Sequence, residues 1–433
     1  MKLLVLHHSQ PWKPQRKTIE DHLMAFRRYL PDAEVHYCNV LSGIPFYVTQ
    51  VAYDGIVLHY SLLNMRMRHP KWWPRYAQEL LCLKKMSGVK IAIPQDEYLH
   101  TDMLWTLFKD IGVDTVFTCA TQAQARVLYP LDKCGVQHLF ATYPGFVDEE
   151  MVRQVRSLEG SVAKEIDIGY RARKEQFLCG RLGQLKYLVA EAFLKHQKTT
   201  PLSMDISTDP RAVFYGDNWV RFLMRCRTVI GVPGGSSLWD IDGKARSAIE
   251  AYVKKHPTAD FEEVEEHCFK GKDGVFVLSA ISPRHFECAI TRTCQVLVEG
   301  DYSGHTTMQP GVHYIAVKPD FSNVLEVLEA IKDRKACEQM AERAYQDLVA
   351  SGKYTYSAFV EQICSHIRSV APSSAPAEKQ LSKVVAFLLR LRHSGKFLQA
   401  ARWRLWYFRA ISLPKAWRRF TVRFNNPLEE SKK

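Results

Sequence analysis

Short apolar strands alternate with amphipathic helices along most of the chain, and this alternation limits the possible folds more than any other feature. "KLLVLHH" precedes a helical pattern near Thr18 to Tyr29, "DGIVLHYS" follows it, and "VKIAIPQ" precedes a helical pattern near Thr101 to Ile111. A repeated strand–helix–strand series predicts a mostly parallel sheet with helices on both faces. We therefore expect an α/β protein.

The series occurs twice, which at 433 residues predicts two tandem Rossmann-like domains. "EIDIGYRA", "LSMDIS", "RTVIGVPG" and "GVFVLSA" are the expected strands of the second series. The polar stretch "YPGFVDEEMVRQVRSLEGS" lies between the two series. We predict an N-terminal domain at 1–148, a linker at 149–164, a C-terminal domain at 165–370 and a basic tail at 371–433.

Charge is concentrated in the tail. Residues 371–433 contain fourteen Lys or Arg and three Asp or Glu, so they carry +11 of the formal net charge of +13. The other 370 residues are nearly neutral, which excludes a protein that binds nucleic acid along its whole length. The eleven cysteines form no CxxC pair, as expected for reduced thiols in the cytoplasm. No apolar run resembles a signal peptide or a membrane span.

Polar residues follow several of the predicted strands. His8 follows the first strand, Asp96 and Glu97 follow "VKIAIPQ", and Arg171 ends "EIDIGYR". In open α/β sheets, ligands bind outside the carboxyl ends of the strands. Because both domains offer such an edge, we expect the site in the cleft between them.

Several motifs taken together resemble a known family. "HYSLLNMR", "AIPQDEY", "DIGYRAR", "YGDNWVRFL", "ISPRHFE" and "EGDYSG" occur in order between about Leu4 and Val360. They resemble bacterial glycosyltransferases of the GT-B type, related to the spore-maturation-protein-like group and to group 1 glycosyl transferases. The resemblance implies two Rossmann-like domains, with a nucleotide-sugar donor held by the second and a glycan, glycolipid or other acceptor held by the first. It implies no tightly bound cofactor and no metal.

The stretch "SPRHFECA" carries the expected donor contacts. Glu287 resembles a glutamate that accepts the ribose hydroxyls in related families, and Arg284 and His285 stand in the first turn of the same predicted helix. Related families often have another glutamate eight positions earlier, where this chain has Ser279. A purely structural interpretation stays open, since an acidic residue in the first turns also complements the helix dipole.

Diphosphate ligands are expected among basic residues and glycine turns. Arg181 and Lys186 flank Gly183, where we expect a helix to start, and a helix N-terminus favours phosphate. A basic, solvated loop is the alternative. The complete set of expected diphosphate, base or sugar contacts from these stretches is Arg171, Arg181, Lys186, Gly234, Gly235 and Ser236.

An inverting transfer needs a general base near the acceptor hydroxyl. The candidates in the first domain are Asp96, Glu97, Asp102, His8 and His59. Among them we expect Asp96, Glu97 or His8 to have this role. A retaining enzyme would use no such base, and both stereochemical outcomes stay open.

The tail contains "ARWRLWYFRAISLPKAWRRFTVRF", in which Trp and Tyr are interleaved with Arg and Lys. Such a composition favours attachment to the inner face of the cell membrane, where basic residues meet anionic lipids and Trp favours the interface. Docking on an acidic partner and a nucleic-acid arm are the alternatives. For the whole chain, the alternatives are a catalytically inactive nucleotide-sugar-binding scaffold and a two-domain sensor of small ligands.

Overall fold

The computed structural model describes residues 1–10, 15–370 and 383–389. The strands are β1 (Lys2–His7), β2 (Glu34–Asn39), β3 (Gly55–His59), β4 (Val89–Ile93), β5 (Thr115–Thr118), β6 (His138–Ala141), β7 (Ile166–Arg171), β8 (Met204–Ser207), β9 (Cys226–Gly231), β10 (Gly234–Leu238), β11 (Asp273–Ala280), β12 (Cys294–Val298) and β13 (Tyr314–Val317).

The α-helices are α1 (Lys17–Tyr29), α2 (Tyr60–Leu63), α3 (Met65–Arg68), α4 (Trp73–Leu80), α5 (Thr101–Ile111), α6 (Gln122–Leu128), α7 (Leu131–Cys134), α8 (Glu149–Leu158), α9 (Gly180–Leu194), α10 (Asp217–Arg225), α11 (Lys244–Lys255), α12 (Phe261–Val264), α13 (Pro283–Ile290), α14 (Val324–Lys332), α15 (Arg334–Tyr345) and α16 (Tyr356–Val370). Short 3₁₀ and π turns, such as Phe46–Gln50 and Leu81–Lys85, connect some of them.

Two parallel sheets organise the molecule. The N-terminal sheet has the order β2-β1-β3-β4-β5-β6, and the C-terminal sheet has the order β13-β12-β9-β7-β8. In each sheet the first strand, β1 or β7, has the second strand on one side and the third on the other, so the strand order reverses beside it. The predicted pair of Rossmann-like domains is confirmed, and each has a switch point suited to ligand binding.

Both sheets are covered on both faces, which explains why their central strands, such as β3 and β12, are buried along their whole length. Leu3 and Val5 of β1 pack into one apolar layer, and Leu4 and Leu6 pack into the opposite layer; all four are fully buried. The C-terminal sheet lies between two further layers in the same way. The strands are therefore fixed from both sides, and their carboxyl ends hold the polar residues in place.

The expected linker contains a helix. α8 occupies Glu149–Leu158, and the Asp148 side chain caps it by accepting a hydrogen bond from Glu150 N at 3.1 Å. Met151 and Val155 are buried on one face of α8, four residues apart. Val152 and Leu158 pack against the same core cluster. The polar composition indicated a linker, and within it the structure has α8.

The last helix returns to the N-terminal domain. Phe359, Ile363 and Ile367 of α16 pack in the same apolar layer as Leu3, and Thr115 of β5 lies 2.7 Å from His366 Nε2. The predicted domain 165–370 therefore differs from the observed packing at α16, which completes the core of the N-terminal sheet.

Residues 233–280 form an insertion between β9 and α13. "GVFVLSA", expected in the parallel sheet, is β11 and pairs antiparallel with β10. The insertion has a small core of its own that includes Leu238, Phe261 and Phe269. It also contacts the N-terminal domain: Trp239 Nε1 donates to Thr101 Oγ1 at 2.8 Å.

Part of the tail lies on the N-terminal domain. Residues 383–389 are helical, with Val385 and Leu389 buried in the same core cluster as α4, whereas Val384 and Phe387 are exposed. The predictions for 371–382 and 390–433 lie outside the described residues. Among the helices that the structure describes, none is long and apolar enough to cross a bilayer.

Candidate active site

A cleft of about 1120 Å³ lies between the two domains, at the carboxyl edges of both sheets. Ionisable residues of both signs line it. Those from the N-terminal side and α8 are Arg16, Lys17, Asp21, Asp148 and Glu150, and those from the C-terminal domain are Arg171, Arg173, Glu175, Lys186, Asp217, Arg284 and Glu287. Because the six cations face six carboxylates, the charges available to a ligand depend on which of them are already paired.

The N-terminus of α13 faces this cleft. Pro283 occupies the first turn, where its missing N–H costs nothing, and Ser282 at the N-cap makes no capping hydrogen bond with its side chain. Gly145 of the N-terminal domain approaches closely, since a Cβ there would lie 2.9 Å from Pro283 Cγ. The positive end of α13 is thus left without a side-chain cap, next to the opposite domain, where an anion would be stabilised.

Arg284 and Glu287 project from α13 into the cleft, three residues apart on one helix face. Trp219 Nε1 donates to Glu287 Oε2 at 2.8 Å, and the Arg284 guanidinium lies 5.3 Å from the Trp219 ring centroid. Burial raises the pKa of Glu287, while the Trp219 hydrogen bond and the Arg284 charge oppose this shift. A carboxylate and a cation are therefore held side by side at a helix N-terminus.

Arg171 lines the cleft but is largely engaged by the protein. It donates to Ala212 O at 3.0 Å, to Tyr170 O at 2.9 Å, to Asp205 O at 2.7 Å and to Asp205 Oδ1 at 2.7 Å. A guanidinium has five N–H groups, so at most one is left for a ligand. Arg171 mainly ties β7 to its neighbours.

Lys186 also lines the cleft, but its Nζ donates to Glu175 Oε1 at 2.6 Å. Arg173 Nη2 donates to the hydroxyl of Tyr215 at 3.0 Å. Among the residues that the structure describes, one hydrogen-bond partner is found for each of these exposed or half-exposed cations, so each keeps donors for an anionic ligand.

Arg181 is placed elsewhere. The helix that we expected to start at Gly183 starts at Gly180, and Arg181 pairs with Glu262 at 3.3 Å and also with Glu265 of the insertion. Asp273 accepts from the Arg181 backbone N–H at 3.3 Å. The insertion thus caps α9 and neutralises Arg181, which is not among the residues that line the cleft.

The expected turn at 234–236 is the start of β10. Gly234 lines the cleft, whereas Gly235 and Ser236 pair with β11 in the antiparallel hairpin. Gly235 has φ +99°, and a Cβ there would lie 1.8 Å from Leu278 O. Ser236 is 1% exposed, and its hydroxyl donates to Leu238 O at 2.8 Å.

His285 points away from the cleft into the core. It is 1% exposed, and its Nδ1 lies 2.9 Å from Gln295 Oε1. Burial lowers the pKa of His285 to about 4, so its ring is neutral at physiological pH. It packs α13 against β12.

Two of the three expected general bases are enclosed. Glu97 is fully buried and accepts from Thr118 and Tyr129 hydroxyls at 2.6 Å and from Cys119 N at 3.2 Å. Burial raises the pKa of Glu97 to about 7, against the effect of these hydrogen bonds. His8 is 6% exposed, and burial, with the nearby Arg68 charge, lowers its pKa to about 4.

Asp96 is the exposed candidate. It lies in a left-handed conformation, with φ +50°, in the turn that follows β4. The buried Arg66 donates to the carbonyl oxygens of Gln95, Asp96 and Leu99 at 3.1, 2.8 and 3.2 Å, and so holds this turn. Our sequence reasoning missed this role of Arg66, although the residue stands in the motif "HYSLLNMR".

Lys17 and Trp219 were also missed. Lys17 Nζ bridges Asp21 at 2.6 Å and Asp148 at 2.8 Å, and Trp219 orients Glu287. Trp219 could have been found from "YGDNWVRFL", whereas Lys17 carries no sequence signal. In the described residues, no group of three or more His, Cys, Asp or Glu side chains could hold a metal ion.

No family model matches the sequence, and no curated protein matches it. Solved structures that the chain resembles include HepE of Anabaena in complex with UDP and glucose, at 12% identity over 86% of this chain and 100% of that chain, with a TM-score of 0.48. A glycosyltransferase from Rickettsia africae is 10% identical over 86% of this chain and 99% of its own, with a TM-score of 0.45. TarM is 12% identical over 74% of this chain and 57% of its own, with a TM-score of 0.41. We infer the function from this chain's own residues.

Proposed function

We propose that this protein is a glycosyltransferase that moves a sugar from a nucleoside-diphosphate sugar to a hydroxyl group of an acceptor. The observation that carries the proposal is the N-terminus of α13 with Arg284 and Glu287, which faces a cleft between two Rossmann-like domains. The diphosphate would accept hydrogen bonds from the α13 N–H groups and Arg284. Glu287 would accept those of the ribose hydroxyls, as a carboxylate does in dinucleotide-binding folds.

The remaining cations of the cleft suit the departure of the nucleoside diphosphate. Negative charge grows on this group as the glycosidic bond to it breaks, and fixed cations stabilise that charge. Among the expected donor contacts, Arg284 and Lys186 line the cleft and keep several free N–H donors, whereas Arg171 keeps at most one. In an inverting reaction Asp96 would take the proton of the acceptor hydroxyl; in a retaining reaction no residue would have that role.

For the acceptor, we propose a glycan or glycolipid at the cytoplasmic face of the membrane. The support is the tail, which carries +11 and interleaves aromatic with basic residues. Its first described residues, 383–389, lie on the N-terminal domain, the side of the cleft opposite the proposed donor site.

A screen of nucleoside-diphosphate sugars for thermal stabilisation tests donor binding. A ligand at a hundred times its dissociation constant adds about 2.7 kcal/mol to the free energy of unfolding. We expect one donor class to raise the Tm clearly and sugar phosphates without a nucleoside to have little effect. If no nucleoside-diphosphate sugar shifts the Tm, the proposed donor site is wrong.

A binding scaffold without activity is the second candidate. It is favoured by the burial of Glu97 and by Ser279, which lies where related families often have a glutamate and whose hydroxyl is 3.4 Å from His305 Nε2. Release of free nucleoside diphosphate that depends on an added acceptor would establish an enzyme. Tight donor binding without any release, over a broad panel of acceptors, would establish the scaffold.

A further inference from the structure

One surface of the N-terminal domain, formed by α4 and the turns on either side of it, is strongly basic. Between residues 68 and 85 the chain has five Lys or Arg and one acidic residue, Glu79. All five of these cations are exposed, and we call four of them, Lys71, Arg75, Lys84 and Lys85, the basic face. Arg75 lies 3.5 Å from Glu79, and within the described residues no ion pair neutralises the other three.

The packing of α4 keeps this face turned outward. Trp73, Tyr76 and Leu80 are buried in the core of the N-terminal domain at spacings of three and four residues. Leu83 of the following turn is buried in the same cluster. Because the apolar stripe is fully engaged, the opposite side of these elements stays in solvent.

Exposed apolar side chains project from the same layer. Phe46 is 78% exposed, and its loop reaches α4, since a Cβ on Gly43 would lie 3.1 Å from Glu79 Oε2. Val384 and Phe387 are 50% and 60% exposed on the helix at 383–389, which is anchored in the core cluster that also holds α4. Large apolar side chains exposed on a layer that also carries cations suit a lipid interface better than water.

We propose that this layer of the N-terminal domain lies directly on an anionic membrane surface. The charge complements anionic lipid headgroups, and the apolar side chains can enter the interfacial zone. The chain also continues from this layer into residues 390–433, which contain twelve Lys or Arg and two acidic residues.

The inference deepens the membrane part of the proposed function by naming the surface that meets the lipid. It does not depend on the donor site, because the residues of the basic face are not among those that line the cleft. The thermal screen tests the donor site and vesicle binding tests the membrane surface, so a negative result in one experiment does not imply a negative result in the other.

The test is binding of the full chain to vesicles of equal parts phosphatidylglycerol and phosphatidylcholine, compared with phosphatidylcholine alone. Lys84→Glu with Lys85→Glu should weaken binding to the anionic vesicles at least about thirtyfold, because each basic residue strengthens such binding roughly fivefold. The matched control is Lys254→Glu with Lys255→Glu, an exposed pair that also occupies the last turn of a helix, in the C-terminal domain. The control should change binding less than twofold.

A second pair of variants tests the apolar part. Phe46→Ser with Phe387→Ser should weaken vesicle binding at both low and high salt, since salt does not screen apolar burial. Leu325→Ser, 62% exposed on α14, is the control. Equal losses for the two lysine pairs would overturn the proposal, as would a full chain that binds RNA and ignores anionic vesicles.

Discussion

Individual side chains in the cleft differ in how many donors they have left. Arg171 uses four of its five N–H groups in hydrogen bonds to the protein, whereas within the described residues Arg284 donates to Arg171 O and to the Tyr170 hydroxyl. Arg284 can therefore turn several donors towards a diphosphate, and Arg171 can offer little. The difference arises from Asp205, which pairs with Arg171 across β7 and β8.

Glu287→Ala should weaken binding of the stabilising nucleotide sugar about ten- to hundredfold, because hydrogen bonds to a charged group contribute about 1.5–3 kcal/mol. The measurement is calorimetry with the donor that the thermal screen identifies. Glu326→Ala, an exposed glutamate on α14, should leave the affinity unchanged. A folded Glu287→Ala variant with wild-type affinity would contradict the ribose contact.

Two histidines in the N-terminal core should make stability depend on pH. His22 and His59 are fully buried, with His22 Nδ1 3.0 Å from His59 Nε2, and burial lowers the pKa of His22 to about 3. The unfolded chain takes up these protons near pH 6.5, so stability falls as the pH drops below about 6.5. His22→Leu should reduce this slope by about 1.4 kcal/mol per pH unit in denaturant unfolding between pH 6 and 4.5. His256→Leu, at an exposed position, should leave the slope unchanged.

The local sequence predicted the strands and helices, but not the distant residues that contact their ends. The apolar runs at β1, β3 and β4 indicated buried parallel strands, because both faces of such strands lie in the core. The start of α9 was misplaced because its capping groups, Ser237 Oγ and Asp273 Oδ1, stand 55 and 92 residues away. The burial of Glu97 likewise depends on Thr118 and Tyr129, which are distant in the sequence. The sequence alone therefore did not distinguish the exposed Asp96 from the buried Glu97.

The insertion approaches the N-terminal domain closely at one glycine, next to backbone hydrogen bonds such as the one from His100 N to Asp240 O at 2.9 Å. Gly243 has φ +76°, and a Cβ there would lie 1.9 Å from His100 Cε1 in the N-terminal domain. Gly271 has φ +69°, and a Cβ there would meet no other atom. Both Gly243→Ala and Gly271→Ala place a side chain on a residue with positive φ, which is unfavourable, but only Gly243→Ala also adds a steric clash. Gly243→Ala should therefore lower the free energy of unfolding by more than Gly271→Ala. Thermal unfolding compares the two, and hydrogen exchange at residues 98–101 should rise only in Gly243→Ala. Equal behaviour would show that the insertion does not need this contact.

The whole chain consists of a nearly neutral body and a basic tail. The buried residues at the start of the tail determine where a truncation should begin. Val385 and Leu389 are buried, so a deletion should begin after Leu389 and remove residues 390–433, with a charge of +10. We expect this deletion to leave turnover on a soluble acceptor largely intact and to reduce sedimentation with anionic vesicles, more strongly at low salt. Sedimentation equal to that of the full chain would remove the tail from membrane binding.

Because α16 packs on the N-terminal sheet, this sheet is synthesised well before the helix that covers one of its faces. The N-terminal domain reaches its last strand at Ala141, yet the helix that covers one of its faces ends only at Val370. At roughly 5–20 residues per second, a ribosome needs about 10–45 s to supply the missing helix. During that time the growing chain exposes the apolar surface that Phe359, Ile363 and Ile367 later cover, and a chaperone that binds nascent chains has a defined interval in which to protect it.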